Sequence, residues 1–241
     1  MTVKITLKDL LEAGAHFGHQ ARRWNPKMEA YLFGVRDGVH IFDLAKTKAS
    51  LEKAADFVKK TTTEGGLVIF VGTKRQAQAI IKEEAKKAEM PFVDQRWLGG
   101  TLTNWEQIKK RIDKLVEMKE KREKGEYKKY TKKEQLLIDR EIDRLEKRLG
   151  GLVGLEGLPA ALFVVDTKKE ENAVKEANQK EIPVVALIDS NSDPDLVDYE
   201  IAANDDAVGT IKLIVSLIGE AAKKGRETFV KKAKKEKKTD G

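Results

Sequence analysis

Three short apolar runs, Leu67–Val71 (LVIFV), Leu162–Val165 (LFVV) and Val184–Ile188 (VVALI), constrain the fold of this chain more than any other feature. Each is rich in Val, Ile or Leu and is apolar at consecutive positions rather than alternate ones. A strand with one face in water alternates apolar and polar residues. A run without alternation reads as a strand covered on both faces, as in a parallel sheet. Parallel strands need crossover connections, and amphipathic helical patterns lie where these would fall. Ser50–Lys60 repeats Leu51, Ala54, Ala55 and Val58, and Gln76–Ala88 repeats Ala77, Ile80, Ile81 and Ala85. Glu170–Gln179 is helical before Pro183, and Asp206–Gly219 carries Ile211, Leu213, Ile214, Leu217 and Ile218. Weaker strand patterns fall at Tyr31–Phe33, Val39–Phe42 and Phe92–Asp94. The alternation predicts an α/β fold built on a doubly wound, mainly parallel sheet of the flavodoxin or Rossmann kind.

One segment breaks the alternation. Ile108, Ile112 and Leu115 lie on a charged helical stretch, and Ile138, Ile142, Leu145, Leu149 and Leu152 repeat the same 4-then-3 spacing further on. Between them KGEYKKYTKKE supplies a helix-breaking Gly125 and a dense basic run. Two narrow apolar stripes around a polar tip predict an inserted antiparallel coiled-coil hairpin. Helices of roughly 20 residues would carry its tip about 30 Å from the body. The organisation expected is therefore an α/β domain over 1–101 and 153–225, a hairpin over 102–152, and a basic tail over 226–241 that orders only against a polyanion.

Charge is segregated in the same way. Residues 221–241 hold nine Lys/Arg against three Asp/Glu, residues 104–150 hold sixteen against eleven, and the rest of the chain is net negative although the whole carries +7. Positive charge placed outside the core suggests an extended polyanionic partner, with solvated helix faces as the plainer alternative. There is no cysteine, which excludes a disulfide framework, a thiolate metal site and a cysteine nucleophile, and agrees with a reducing compartment. The amino-terminal MTVKITLKDLL lacks the apolar core of a signal peptide, and no stretch approaches the ~18 apolar residues of a membrane span. A cytoplasmic protein with no membrane partner is expected.

No catalytic frame stands out. The turn after LVIFV reads Gly72-Thr73-Lys74-Arg75 and could hold a phosphate at the following helix start. It has a single glycine, and neither GxxxxGK[ST] nor GxGxxG occurs after a strand, so a nucleotide-binding enzyme is the weaker alternative. His16 and His19, with Asp189, Asp193, Asp205 or Asp206, have the chemistry of a divalent-ion site, but sequence does not bring them together. The reading is no enzyme, no cofactor and no metal. A free adaptor that binds protein through the hairpin is the third alternative.

Two segments suit RNA. HFGHQARRWNPKM sets Arg22, Arg23 and Lys27 around Trp24, with Asn25 free to hydrogen-bond. Basic groups pair with phosphates and aromatic rings stack on unpaired bases, although Trp24 could equally be a core anchor. DQRWLGGTLTNW places Arg96 before Trp97 and the Gly99–Gly100 pair, with Thr101 and Thr103 as candidate caps for the hairpin's first helix. Hinge and RNA contact both remain open for it. Lys74, Arg75, Arg96 and Trp97 are secondary candidates, and Lys128, Lys129, Lys132 and Lys133 form the candidate contact at the hairpin tip.

Taken together these segments resemble the bacterial-type small-subunit ribosomal protein two family. The resemblance rests on AGAHFGHQARRWNPKM and YLFGVRDGVHIFDLAKT within 13–47, FVGTKRQAQ at 70–78, QRWLGGTLTN at 95–104 and IPVVALIDSNSDPDLVDYEIAANDDA at 182–207. Ser190 stands where the family usually has Thr, Ser192 where Cys or a small residue is common, and Ala202–Ala203 where Pro-Gly is usual. The family's coiled-coil insertion falls where the hairpin is expected. The resemblance implies a structural constituent of the small ribosomal subunit that binds small-subunit rRNA. It would dock late in assembly, on the solvent side, and bridge rRNA elements between head and body. It also implies ribosomal protein neighbours, including ribosomal protein one where present.

Overall fold

A computed structural model describes residues 5–239, with side chains through residue 232. The first four residues and the last two lie outside it, and with them the ends of the amino-terminal segment and of the expected tail. The chain opens with α1 (Leu7–Glu12), β1 (Phe17–Gln20), β2 (Leu32–Arg36), β3 (Val39–Phe42) and α2 (Leu44–Thr63). It continues through β4 (Val68–Val71), α3 (Gln78–Lys87) and β5 (Phe92–Val93). Two long helices follow, α4 (Trp105–Glu123) and α5 (Lys132–Leu149). The remainder is β6 (Ala161–Val165), α6 (Glu171–Gln179), β7 (Val184–Ile188), β8 (Tyr199–Ala202) and α7 (Val208–Thr239).

The five parallel strands run in the order β5-β4-β6-β7-β8, which is the doubly wound α/β arrangement expected. The unbroken apolar runs are explained by burial on both faces. Val68, Phe70, Ala161, Phe163, Val165, Val185 and Leu187 point into one core with α2, α3 and α7. Ile69, Val71, Leu162, Val164, Val184, Ala186 and Ile188 point into a second core with α4, α5 and α6. Successive side chains of each strand thus serve opposite cores.

Two strands escape the sequence pattern. β1 (FGHQ) is only half covered, and β8 (YEIA) buries Ile201 and Ala202 but carries Glu200, as befits an edge. β1, β3 and β2 form a separate antiparallel sheet. It is tied to the carboxyl end of β7, where His19 N–H of β1 donates to Ser190 Oγ (2.9 Å) and Asn25 N–H to the Ser190 carbonyl (2.7 Å), while on α2 the Thr47 hydroxyl donates to the Ala202 carbonyl of β8 (2.6 Å). α2 starts earlier than its apolar repeat because Asp43 caps it, accepting from Ala45 N–H at 3.0 Å.

α4 and α5 are joined by a short turn at Gly125, which has φ 74°. Ile108, Ile112, Leu115, Leu149 and Leu152 at their base are buried in the second core, whereas Leu136 and Leu137 near the turn are exposed. Further out the helices are cross-linked by Arg122–Asp139 (2.8 Å) and Lys119–Glu146 (2.5 Å). α7 runs without a break past residue 225, where the sequence suggested that a tail begins.

Candidate nucleic-acid interface

The first basic segment leaves β1 as a short 3-10 turn, Ala21–Arg23, that projects Arg22 and Arg23 into solvent. Neither makes an ion pair among the described residues; Arg22 Nε donates to Gln20 Oε1 at 3.0 Å. Trp24 follows, half-buried, and belongs to neither apolar core. Its ring lies on the buried His40, with centroids 4.9 Å apart and planes 31° from parallel. The core-anchor alternative for Trp24 is therefore set aside. Asn25 is used locally, capping the next 3-10 turn through Lys27 N–H. Lys27 is exposed but bound to Asp193 (2.8 Å) and Asp195 (2.7 Å). Arg22, Arg23, His19 and Asp206 line an open cleft of about 330 Å³.

Lys74 is not free to meet a partner. Its ammonium sits 2.7 Å from Asp205, 2.5 Å from Asp206 and 3.4 Å from Asp166. Burial alone would lower its pKa, but these carboxylates raise it further. Asp205 is fully buried; burial first, then the charges of Asp166 and Asp189, push it up to about 7 against the pull of Lys74. On the other side of the cluster His19 Nδ1 lies 3.0 Å from Asp189 Oδ1 and Nε2 lies 3.6 Å from Asp206. The hydrogen bond to Asp189 raises the His19 pKa, and burial opposes it.

This cluster settles which histidine and carboxylates meet. His19, Asp205 and Asp206 each offer a ligand atom within 4.8 Å of the others, the spacing a divalent cation needs. Lys74 already supplies positive charge there. His16 instead packs on Phe17, with ring centroids 4.0 Å apart, and Asp193 is engaged by Lys27.

The ligand crevice of a doubly wound sheet opens between β4 and β6, where the strand order reverses. Here the Glu170 carboxylate fills it, accepting from Thr73 N–H (2.9 Å) and from the Thr73 hydroxyl (2.5 Å). Burial raises the Glu170 pKa. The chain's own carboxylate takes the Thr73 backbone donor in this crevice, which weakens the nucleotide-site alternative.

Arg75 and Arg96 are exposed, but Trp97 is buried and is corrected from RNA contact to structural anchor. Its Nε1 donates to Glu176 Oε1 at 3.0 Å. The same carboxylate accepts from Gly100, Leu102 and Thr103 N–H. Burial pushes Glu176 up, but these hydrogen bonds outweigh it and hold its pKa below the ordinary value. Thr101 and Thr103 do not cap α4: their hydroxyls donate to the Leu98 carbonyl and to Glu176.

At the far end of the two helices Lys128, Lys129, Lys132 and Lys133 are all exposed and form no ion pair among the described residues. Tyr127 precedes them and Tyr130 lies among them, ring centroids 6.1 Å apart, with Lys129 Nζ 5.6 Å from the Tyr130 centroid. The interleaving of Tyr and Lys was visible in KGEYKKYTKKE. A second feature was not visible: Leu11, Phe17, Phe33 and Val35 form an exposed apolar face around a cleft of about 730 Å³. None of the described helices is long and apolar enough to cross a membrane.

The fold and site define a doubly wound α/β protein with Glu170 in its crevice and, among the described residues, exposed cations without ion pairs at Arg22 and Arg23 and around the turn between α4 and α5. The family model for Ribosomal protein S2 matches residues 10–225. The chain is 54% identical to the small ribosomal subunit protein uS2 of Petrotoga mobilis over 223 residues, 92% of this chain and 77% of that protein. It is 55% identical to that of Coprothermobacter proteolyticus (92% and 83% covered) and 52% identical to that of Roseiflexus castenholzii (92% and 84% covered). The chain belongs to the ribosomal protein S2 family. It is a structural, non-enzymatic component of the small ribosomal subunit and works in the cytoplasm within the ribosome.

Proposed function

We propose that this chain binds small-subunit rRNA through two separate basic surfaces and bridges the rRNA elements they touch, between head and body. The observation that carries the reading is the pairing of free cations with accessible aromatic rings at both places. Arg22 and Arg23 directly precede Trp24 on the body, followed by Asn25 and Lys27, and Arg75 and Arg96 are further exposed cations of the body. Lys128, Lys129, Lys132 and Lys133 surround Tyr127 and Tyr130 on the hairpin formed by α4 and α5 (102–152). Cations neutralise phosphates and rings stack on unpaired bases, so each surface suits a folded rRNA with exposed loops. Lys74 and Trp97 act from within, by holding the RNA-facing loops in place. The basic carboxyl-terminal segment over 226–241 adds positive charge.

The exposed apolar face around Phe33 is unsuited to phosphate and suits a protein neighbour, for which ribosomal protein one is the candidate.

The test is binding to small-subunit rRNA across a salt series. Replacing Lys128, Lys129, Lys132 and Lys133 with Ala should make log K less steep in log salt by roughly 3, at ~0.7–0.9 per phosphate contact. Arg22→Ala with Arg23→Ala should reduce the slope independently. Unchanged slopes in both variants refute the two-surface reading.

A further inference from the structure

The two proposed RNA surfaces work together only if the hairpin points in one direction from the body. Its base is packed by Ile108, Ile112 and Leu115, which share the second core with Ala173, Val174 and Ala177 of α6. Apolar burial holds a helix against a surface but is non-directional, so it leaves tilt and rotation weakly specified. Direction needs bonds with fixed geometry near the pivot.

Such bonds converge on one side chain. Glu176 lies on the same helix, α6, and is buried. Its Oε1 accepts from Trp97 Nε1 (3.0 Å) and Gly100 N–H (2.8 Å). Its Oε2 accepts from Leu102 N–H (2.9 Å), Thr103 N–H (3.1 Å) and the Thr103 hydroxyl (3.2 Å). Glu176 forms no ion pair among the described residues, so oriented dipoles alone stabilise its charge, at full use of the lone pairs a carboxylate offers. All five donors lie in the seven-residue approach to α4, which begins at Trp105. The Asn104 side chain makes no capping bond to that helix. The carboxylate therefore stands beside the positive end of α4, where a negative charge is favoured.

We propose that Glu176 is a positioning residue that fixes the direction of the hairpin relative to the body, and so sets the distance between the two rRNA surfaces. This rests on the two-surface reading above, and the experiment separates the two. The chain has no cysteine, so a pair of spin labels can be placed without background. Glu126→Cys at the hairpin turn and Lys60→Cys on α2 are both exposed and lie outside the proposed contacts. Dipolar distances are measured on the full chain, without RNA, in an otherwise unchanged background, with Glu176→Gln and with Trp97→Phe.

The expected result is one narrow distance in the parent, a distribution spread over several distances in Glu176→Gln, and a smaller spread in Trp97→Phe. The latter loses a single donor and keeps an aromatic ring. Reconstituted small subunits should take up Glu176→Gln roughly tenfold less well, the factor for losing about 1.4 kcal/mol of preorganisation. An unchanged, narrow distance in folded Glu176→Gln overturns the proposal; if that variant does not fold, an unchanged distance in Trp97→Phe does so. A broadened distance with normal uptake overturns the positioning role. The tip-lysine variant, with its hinge intact, tests the RNA reading alone.

Discussion

Replacing Lys74 with Met tests whether the ion cluster at the carboxyl end of the sheet carries the stability that its burial implies. Methionine keeps the length of the apolar stem and removes only the ammonium. That ammonium is bound to Asp205 (2.7 Å, fully buried), Asp206 (2.5 Å, exposed) and Asp166 (3.4 Å). Removing one partner of a buried pair costs about 3–5 kcal/mol, because the other charge is left uncompensated. Asp206 adds little, since exposed pairs contribute about 0–1 kcal/mol. The loss should therefore approach about 3 kcal/mol at pH 8, a large part of the ~5–15 kcal/mol that holds a domain folded. At pH 5 it should shrink to about 1 kcal/mol: Asp205, with its pKa pushed up to about 7, is then protonated in the parent and has no charge for Lys74 to balance. Urea unfolding followed by circular dichroism at the two pH values measures both losses. Equal losses at pH 5 and pH 8, or a loss under about 1 kcal/mol at pH 8, would refute the reasoning.

Asp205→Asn isolates the pH term. The folded pKa of Asp205, about 7, lies above the ordinary 3.8, so the folded state holds the proton more tightly than the unfolded chain. Its contribution is greatest below the ordinary value and is lost as pH rises through about 7; relative to Asp205→Asn the parent should weaken between pH 4 and pH 7 in thermal melts. Gly225→Ala should cost about 1–3 kcal/mol in urea unfolding, because a Cβ there collides with the Thr62 hydroxyl where α7 crosses α2. Thr131→Ala breaks the capping box with Glu134 at the start of α5 and should cost about 1 kcal/mol, visible as roughly fivefold faster amide exchange in that first turn.

The parallel sheet was legible because buried strands leave an unbroken apolar run, as in LVIFV and VVALI. β8 was hidden because YEIA, on the sheet edge, carries Glu200 in the middle of its four residues. That two long helices, α4 and α5, lie here was readable from a 4-then-3 spacing, but their attachment was not: Glu176 lies 73 residues or more from every donor it binds. The same distance hid the Lys74 cluster, in which Asp205 is 131 residues away. Read locally, Lys74-Arg75 is a pair of RNA-binding cations; only the fold shows that the first is spent internally and the second exposed. Charged residues carry no sign in the sequence of whether their partner is an RNA or a distant carboxylate. Aromatic residues are as ambiguous, which is why Trp24 and Trp97 look alike in sequence and differ in use.

The two buried carboxylates, Glu170 and Glu176, show how this doubly wound fold orders its loops with its own side chains. Each takes backbone N–H groups that the doubly wound architecture leaves unpaired in loops beyond strand ends: Thr73 after β4, and Gly100, Leu102 and Thr103 after β5. In a ligand-binding relative of such a fold those donors would face a phosphate and reorganise with its arrival. Here covalently attached anions occupy them permanently, so the loops are ordered before any partner is met. Lys74 binds the acidic residues after β8, and His19 of β1, which leads into the turn with Arg22 and Arg23, lies against Asp206 of that loop. A surface that binds by phosphate neutralisation gains most from such prior order, because the counterion release that drives binding is not spent on arranging the loops.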